Sequence, residues 1–276
     1  MYIEKSCRNC RDNDNCCLLD KIDFDLETEV QCKLEEGIFE EAIKEELNLT
    51  DVFQQMQDDG IIKKNIKIKD IDDESIKFIT FASSAQEITN IIMNNLSDFP
   101  CAGSYCLEKW ITKPLDKKMK HLVISEMTAG VGGNVLNFAN YFKYVNAIEL
   151  DSTRYNYLNK NIKLYGYNNI NCYNADSITL LVEKDDIAQD IIFFDPPWGG
   201  KNYKLHSTLR ILFGNFSIEN VCKVLFQRPH NKMIVMKLPN NYDFDYMVKE
   251  LKEYRLSKYS LNRMTIIVIK NYPLDS

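Results

Sequence analysis

No stretch of the 276-residue sequence approaches the roughly 20 consecutive apolar residues that a membrane-spanning helix needs. The opening residues, MYIEKSCRNCRDNDN, lack the apolar core of a secretory signal. The expectation is therefore an intracellular protein, nuclear or cytoplasmic, neither secreted nor in a membrane. The nine Cys are an odd number. Without an export signal they read as reduced thiols. No internal repeat or low-complexity tract is visible. At about 100–200 residues per domain, the length allows one large domain, or one domain with an appendage.

What is present is ordinary for a globular chain: 45% hydrophobic and 27% charged residues. The net charge of −6 is unevenly spread. Residues 1–60 carry 17 acidic and 6 basic side chains, net −11, and residues 61–276 carry 23 and 28, net +5. An acidic appendage, taken as 1–75, thus precedes a mildly basic body, taken as 76–276. Such a body suits a polyanionic substrate, although charge alone is equally consistent with solvated surface. In the appendage Cys7 and Cys10 form a C-x-x-C, followed by Cys16, Cys17 and Cys32. A tetrahedral zinc site needs four well-spaced ligands. Here the second pair is adjacent and no His is near, so unpaired thiols are the reading and structural zinc the alternative. Leu26, Val30, Leu34, Ile38, Ala42 and Leu47 recur mostly at four-residue steps, which predicts an amphipathic helix over 25–47. A second, short helix is expected between Thr50 and Gly60.

Beyond residue 75 short apolar runs alternate with helical stretches. The runs are 76–81, 122–127, 145–150, 190–195 and 233–238, and the helices lie near 84–96, 134–143, 152–165, 217–227 and 243–254. This alternation predicts an α/β fold with a parallel sheet covered on both faces. The last two runs, RLSKYSL and MTIIVIK, flank Asn262-Arg263 with no helix between, and predict an antiparallel hairpin closing the sheet. Pro100–Lys120 fits neither period and reads as a loop.

Three groups of residues carry chemistry. The first is Glu126-Met-Thr-Ala-Gly130-Val-Gly132-Gly133-Asn134, between a predicted strand and a predicted helix. Glycines at that corner let the backbone approach a ligand, and amides at the helix start can donate to it. A dinucleotide fingerprint would have Gly where Val135 stands. The second is a pair of acids. Glu149 ends the next strand, 19 residues after Gly130, where a carboxylate can take both ribose hydroxyls of a nucleoside. Asp176, after a strand near Asn169–Tyr173, can accept from an adenine amine or simply cap the helix near Ile178. The third group is Asp195-Pro196-Pro197-Trp198-Gly199-Gly200, at the carboxyl end of an apolar strand. Two prolines remove two backbone donors, leaving carbonyls and a carboxylate. That surface of acceptors suits an incoming amino group, and Trp198 offers a flat face to a base.

These motifs together resemble the class I S-adenosylmethionine-dependent methyltransferases that act on exocyclic amines, and among them the trimethylguanosine synthase family of RNA cap guanine-N2 methyltransferases. The resemblance covers about residues 76–270. The family's acid followed by Gly-Val-Gly-Gly-Asn is matched by Glu126 and Gly130–Asn134, with Ala129 in place of Cys. Its Pro-Pro-Trp-Gly-Gly loop is matched by Pro196–Gly200. Its Phe before a Thr-Pro-Glu helix start is matched by Phe81 before Ser84-Ala85-Gln86, and its Leu-Pro-x-Asn strand end by Leu238–Asn241. The family usually has Ser where this chain has Asp195, and Pro where it has Lys201. Asp there is typical of enzymes that methylate adenine amines, and of some that methylate guanine in ribosomal RNA. In the adenine methyltransferases of messenger RNA the Asp-Pro-Pro-Trp loop precedes the cofactor motif, the reverse of the order here.

The resemblance implies a Rossmann-like sheet with a terminal antiparallel hairpin, and S-adenosylmethionine as cofactor. The cofactor would contact Gly130, Gly132, Asn134, Thr128 and Asp195, with Glu126 at its methionine end, Glu149 on its ribose, Asp176 near its adenine and Phe81 covering the pocket. The substrate implied is the 7-methylguanosine cap of an RNA, its base stacked on Trp198 beside Pro197. Asp195 and the Pro196 carbonyl would accept from its 2-amino group. Amine methylation of this kind needs no metal. Two alternatives stay open: methylation of adenine or guanine in other RNA or DNA, and a catalytically silent cap- or nucleoside-binding subunit.

Overall fold

The computed structural model describes residues 68–69, 71–100, 110, 112–184, 187–261 and 263–272, all within the compact unit Ile66–Ser276. The expected appendage helices and the Cys from Cys7 to Cys32 lie outside the described residues. Lys69 and Ser75, on the appendage side of the expected boundary, bond to the body. The Lys69 amide donates to Asn161 Oδ1 at 3.2 Å, and Arg154 Nε donates to Ser75 Oγ at 3.3 Å.

Seven strands form one sheet: β1 (Val123–Glu126), β2 (Tyr144–Glu149), β3 (Ile170–Asn174), β4 (Ile191–Phe194), β7 (Met233–Pro239), β8 (Arg255–Leu261) and β9 (Met264–Lys270). Their order is β3-β2-β1-β4-β7-β9-β8. The first five are mutually parallel, while β9 runs antiparallel to both β7 and β8. This is the Rossmann-like arrangement with a closing hairpin. A two-stranded ribbon, β5 (Leu212–Phe213) with β6 (Phe216–Ser217), lies apart. The helices are α1 (Ala82–Asn94), α2 (Leu115–Met119), α3 (Gly133–Ala139), α4 (Ser152–Tyr165), α5 (Ile218–Phe226) and α6 (Phe244–Glu250).

The central strands look uniformly apolar in sequence because both faces are covered. Ile191 and Phe193 of β4 pack with Ile88, Ile92, Phe138 and Leu158 of α1, α3 and α4. Their alternates Ile192 and Phe194 pack with Ile218, Val221, Leu225 and Met247 of α5 and α6. The helix ends follow local chemistry. Asp151 accepts from the Arg154 amide at 2.8 Å to start α4, and Gly166 ends it at φ +66°.

Two expectations are corrected. The run 76–81 joins no sheet. It is a 3-10 turn (Ser75–Phe78) leading into extended chain that meets Gly133, where an added Cβ would lie 2.5 Å from the Thr80 carbonyl. Within Pro100–Lys120, expected to loop, α2 forms directly after Pro114, whose carbonyl accepts from the amides of Lys117 and Lys118 at 3.0 Å, and it buries Met119.

Candidate active site at the carboxyl ends of the strands

The strand order reverses between β1 and β4, since the chain builds outward from β1 to β3 and then returns to the other side. At such a point the connecting loops leave in opposite directions and open a crevice beyond the strand ends. Glu126 ends β1 here, Glu149 ends β2, and Asp195 follows β4. Three of the expected acids thus meet at one edge of the sheet.

Thr128 ties the two loops together. Its Oγ1 accepts from the Asp195 amide at 2.9 Å and lies 3.3 Å from Glu126 Oε1, to which it donates. Further clamps brace the corner, including Met127 N to Phe193 O and Ala129 N to Ile148 O, both at 2.9 Å. Of the three glycines, Gly130 has φ +55° and open space where a Cβ would be. At Gly132, with φ +109°, a Cβ would meet Leu158, so this glycine serves the turn. Gly133 is there for the close approach of Thr80 described above.

Glu149 is nearly buried and accepts two backbone amides, Gly130 at 2.8 Å and Asp151 at 2.9 Å. It therefore holds the glycine corner in shape as well as facing it, and each carboxylate oxygen retains a further lone pair. Asp176 is exposed and accepts from the amides of Ile178 and Thr179 at 2.8 and 3.2 Å, which is the capping role. What it starts is the π-helical segment Thr179–Lys184. Phe81 is half-buried and stands immediately before α1, its carbonyl accepting from Ala85 at 2.8 Å.

Glu126 is fully buried, and its Oε2 has no hydrogen-bond partner. Burial holds its carboxyl well above the usual carboxylate range, and the nearby Asp195 charge pushes it the same way. Asn134, at the start of α3, donates from Nδ2 to Thr80 Oγ1 at 3.3 Å, while its buried Oδ1 is also without a partner. Two orphaned acceptors in one crevice cost stability unless a ligand supplies donors.

Asp195 shows the residue that sequence inspection missed. Lys237 lies in β7, a strand whose seven residues are all buried. Its ammonium donates to Asp195 Oδ2 at 2.7 Å and to Thr80 Oγ1 at 3.0 Å. Burial raises the Asp195 carboxyl above its ordinary range, and Lys237 pulls it back. The available signal was a single lysine inside the apolar run MIVMKLP, which must be paired if buried.

The loop after Asp195 is held from the same side. Pro196 is buried, and Pro197, Gly199 and Gly200 are exposed. Gly199 and Gly200 take φ of +93° and +70° and lead into a 3-10 turn, Gly200–Leu205. Trp198 is half-buried, its Nε1 donating to the Lys237 carbonyl at 3.4 Å and its ring set edge-on to Tyr203 at 5.2 Å. Asn241 Nδ2 donates to the carbonyls of Tyr203 and His206, both at 2.8 Å. The Leu-Pro-Asn-Asn strand end is thus a brace for the Trp198 loop.

Comparison with known proteins gives a consistent picture. The family model for RNA cap guanine-N2 methyltransferases matches residues 121–271. An uncharacterised protein of Acanthamoeba polyphaga mimivirus is 63% identical over 202 residues, covering 73% of this chain and 79% of that one. The tRNA(Phe) (4-demethylwyosine(37)-C(7)) aminocarboxypropyltransferase of Methanocaldococcus jannaschii is 32% identical over 143 residues, covering 48% and 54%. Trimethylguanosine synthase of Saccharomyces cerevisiae is 26% identical over 135 residues, covering 47% and 42%. The chain spans about half the length of the two relatives that have named activities. The matched family uses S-adenosylmethionine. The crevice fits that cofactor on its own chemistry. Glu126 Oε2 and Asn134 Oδ1 lack donors, which an ammonium supplies, and the acids Glu126, Glu149 and Asp195 suit a ligand with a positive sulfur.

Proposed function

The chain belongs to the RNA cap guanine-N2 methyltransferase family and is an S-adenosylmethionine-dependent methyltransferase, and on that premise we propose that its acceptor is the 2-amino group of a 7-methylguanosine RNA cap. The observation that carries this reading is the loop Asp195–Trp198. It sets acceptors and an aromatic ring beside the crevice at the strand-order reversal, with no backbone donor at Pro196 or Pro197.

S-adenosylmethionine, when bound, supplies a methyl group already made electrophilic by its sulfonium. The protein's work is then binding and orientation. Glu126 and Asn134 accept from the ammonium of the methionine end, and Gly130 gives the ligand close access to the backbone. Glu149 takes the ribose hydroxyls on its remaining lone pairs. Asp176 keeps a second oxygen for the adenine amine beside its capping bonds, and Phe81 closes the mouth. Asp195 and the Pro196 carbonyl accept the two N–H groups of the substrate amine. That fixes the nitrogen lone pair toward the methyl, at the roughly 3–3.5 Å a productive approach requires. The Asp195 charge also stabilises positive charge developing on the nitrogen, and the proton then leaves to water. Trp198 stacks on the base, with Pro197 beside it. A 7-methylated guanine is cationic, so a cation–π term of ~0.5–2 kcal/mol adds to the stacking.

The test is a pair of steady-state assays on 7-methylated and unmethylated cap analogues, with the products read by mass spectrometry. The expected result is methyl addition with a higher kcat/KM on the 7-methylated analogue. Trp198→Ala should weaken its use and narrow that advantage, and Trp198→Phe should keep part of both. Equal kcat/KM on the two analogues with the wild-type protein refutes the cap reading. Methylation of uncapped RNA or DNA would then identify another exocyclic amine. Cofactor binding without turnover on any acceptor would make the chain a silent binding subunit.

A further inference from the structure

Lys237 is an anomaly in the fold. A lysine in a fully buried strand gives up the hydration of its ammonium, and it is retained only where partners replace the water. Its partners here all belong to the site. The ammonium lies 2.7 Å from Asp195 Oδ2 and 3.0 Å from Thr80 Oγ1. It stands 5.6 Å from the centroid of the Trp198 ring, and its own backbone carbonyl accepts from the Trp198 indole at 3.4 Å. One residue therefore touches both the group read as accepting the amine and the group read as stacking the base. Thr80 in turn accepts from Asn134 at 3.3 Å, which carries the contact to the cofactor side of the crevice.

We propose that Lys237 is the positioning residue of amine recognition: by occupying Asp195 Oδ2 it keeps the carboxylate charged and purely accepting, and assigns the substrate amine to Oδ1. This rests on the methyltransferase reading above and adds a residue to it. The chemical need is specific. An ionised carboxylate only accepts, whereas a protonated one carries an O–H that would face the N–H of the amine. Enclosure shifts the Asp195 carboxyl toward its protonated form. Its side chain is largely enclosed, and Glu126 from β1 and Glu149 from β2 face the same crevice. Burial does raise its carboxyl, and the counterweights are Lys237 from β7 and the Thr80 hydroxyl. Lys237 also keeps the corner beside Trp198 from acquiring a net charge of its own, because its ammonium and the Asp195 carboxylate cancel.

The experiment uses the full chain and has two arms. In the first, the Asp195 carboxyl is titrated by NMR with 13C-labelled aspartate, assigned by its loss in Asp195→Ser, with no acceptor present. Lys237→Met and Lys237→Gln should both move the Asp195 midpoint upward, while Lys237→Arg should leave it near the wild-type position. In the second arm, methyl transfer to the best acceptor is followed against pH. Lys237→Met should lower kcat roughly ten- to hundredfold, the scale of a charged hydrogen bond, with cofactor affinity changed only a few-fold. The acid limb of its profile should move to higher pH, and Lys237→Arg should recover part of kcat. Asp195→Ser/Lys237→Met should outperform Lys237→Met alone, since a hydroxyl accepts without needing a counter-charge. An unmoved Asp195 midpoint in both uncharged variants overturns the proposal. So does a kcat loss matched by an equal loss of cofactor affinity. The titration needs no substrate, so failure of the cap reading and failure of this pair are distinguishable.

Discussion

The strands that build the active-site edge also carry a second polar system, and the two behave in opposite ways. Along the middle of the sheet Ser125 of β1, Asn146 of β2 and Asn171 of β3 lie in register. Asn171 donates to Asn146 Oδ1 at 3.1 Å, Asn146 to Ser125 Oγ at 3.1 Å, and Ser125 to Gln189 Oε1 at 2.8 Å. Gln189 donates to Asn231 Oδ1 at 3.0 Å, and Asn231 to the Leu225 carbonyl at 2.7 Å. Ser125, Asn146, Gln189 and Asn231 are all buried, and each donates onward to a partner. One residue further along β1 the pattern inverts. Glu126 and Asn134 hold buried acceptors with no donor, and carboxylates crowd one another. A satisfied buried network fixes a structure, whereas an unsatisfied one is a place kept for something else. The difference separates scaffold from site more sharply than burial or polarity does.

The comparison breaks most visibly at Asp195. Asp195→Ala should reduce kcat by about 10²–10³, the scale of losing one preorganised electrostatic group, while cofactor affinity changes less than tenfold. Asp195→Ser should keep measurable activity. Steady-state kinetics beside calorimetric titration check both, and an equal collapse of kcat and affinity would mean that Asp195 is scaffold. The mirror experiment is Asn146→Ala. It should cost ~1–3 kcal/mol of stability by leaving buried partners unmade, read by urea unfolding, with kcat per folded molecule unchanged. A catalytic defect without a stability defect would erase the distinction between the two systems.

Glu149 stands between the two regimes, because it braces two backbone amides and faces the crevice. Glu149→Ala should weaken S-adenosylmethionine binding about tenfold or more, the worth of a charged hydrogen bond. Calorimetry decides, and unchanged affinity would leave Glu149 as a brace alone.

The smallest effect is at Glu126, where the direction matters more than the size. Its carboxyl is held well above the ordinary range by burial and by Asp195, with Thr128 and Lys237 opposing. The folded state therefore holds this proton more tightly than the unfolded chain. Stability is lost as pH rises past the unfolded carboxyl range and through the folded one, and is regained on acidification. Glu126→Gln removes that penalty. Its melting temperature should exceed the wild-type value at neutral pH and converge with it near pH 4. Its cofactor affinity should fall, the usual exchange of function for stability. A variant less stable than wild type at neutral pH would place Glu126 with the satisfied network.

Much of this was legible in the amino-acid order, and the exceptions share a cause. Helix α4 falls on 152–165 as its spacing predicts, and the closing hairpin on the two runs around Asn262-Arg263. Glu126, Glu149 and Asp195 were recognisable because each stands at the end of an apolar run, Glu126 just before the glycine corner, Glu149 at 19 residues after Gly130, and Asp195 beside two prolines. The run 76–81 has the apolar content of a strand, but it joins neither edge of the sheet, and its backbone packs against Gly133 instead. Asp176 could be read from sequence either as a cap or as an adenine acceptor, and the cap is the contact seen.

The sequence by itself determined the alternation of strands and helices, the order of the glycine and proline loops, and the acids that close them. These follow from periodicity, capping and φ restriction, which act within a few residues. Tertiary structure alone decided that Lys237, 42 residues after Asp195, would lie 2.7 Å from it. It also decided that Ser125, Asn146 and Asn171 would bond in a row, and that Glu126 would keep an unpaired oxygen. Such outcomes depend on which strands become neighbours and how much water they exclude, and a polar side chain's energy is set by those two quantities rather than by its neighbours along the chain.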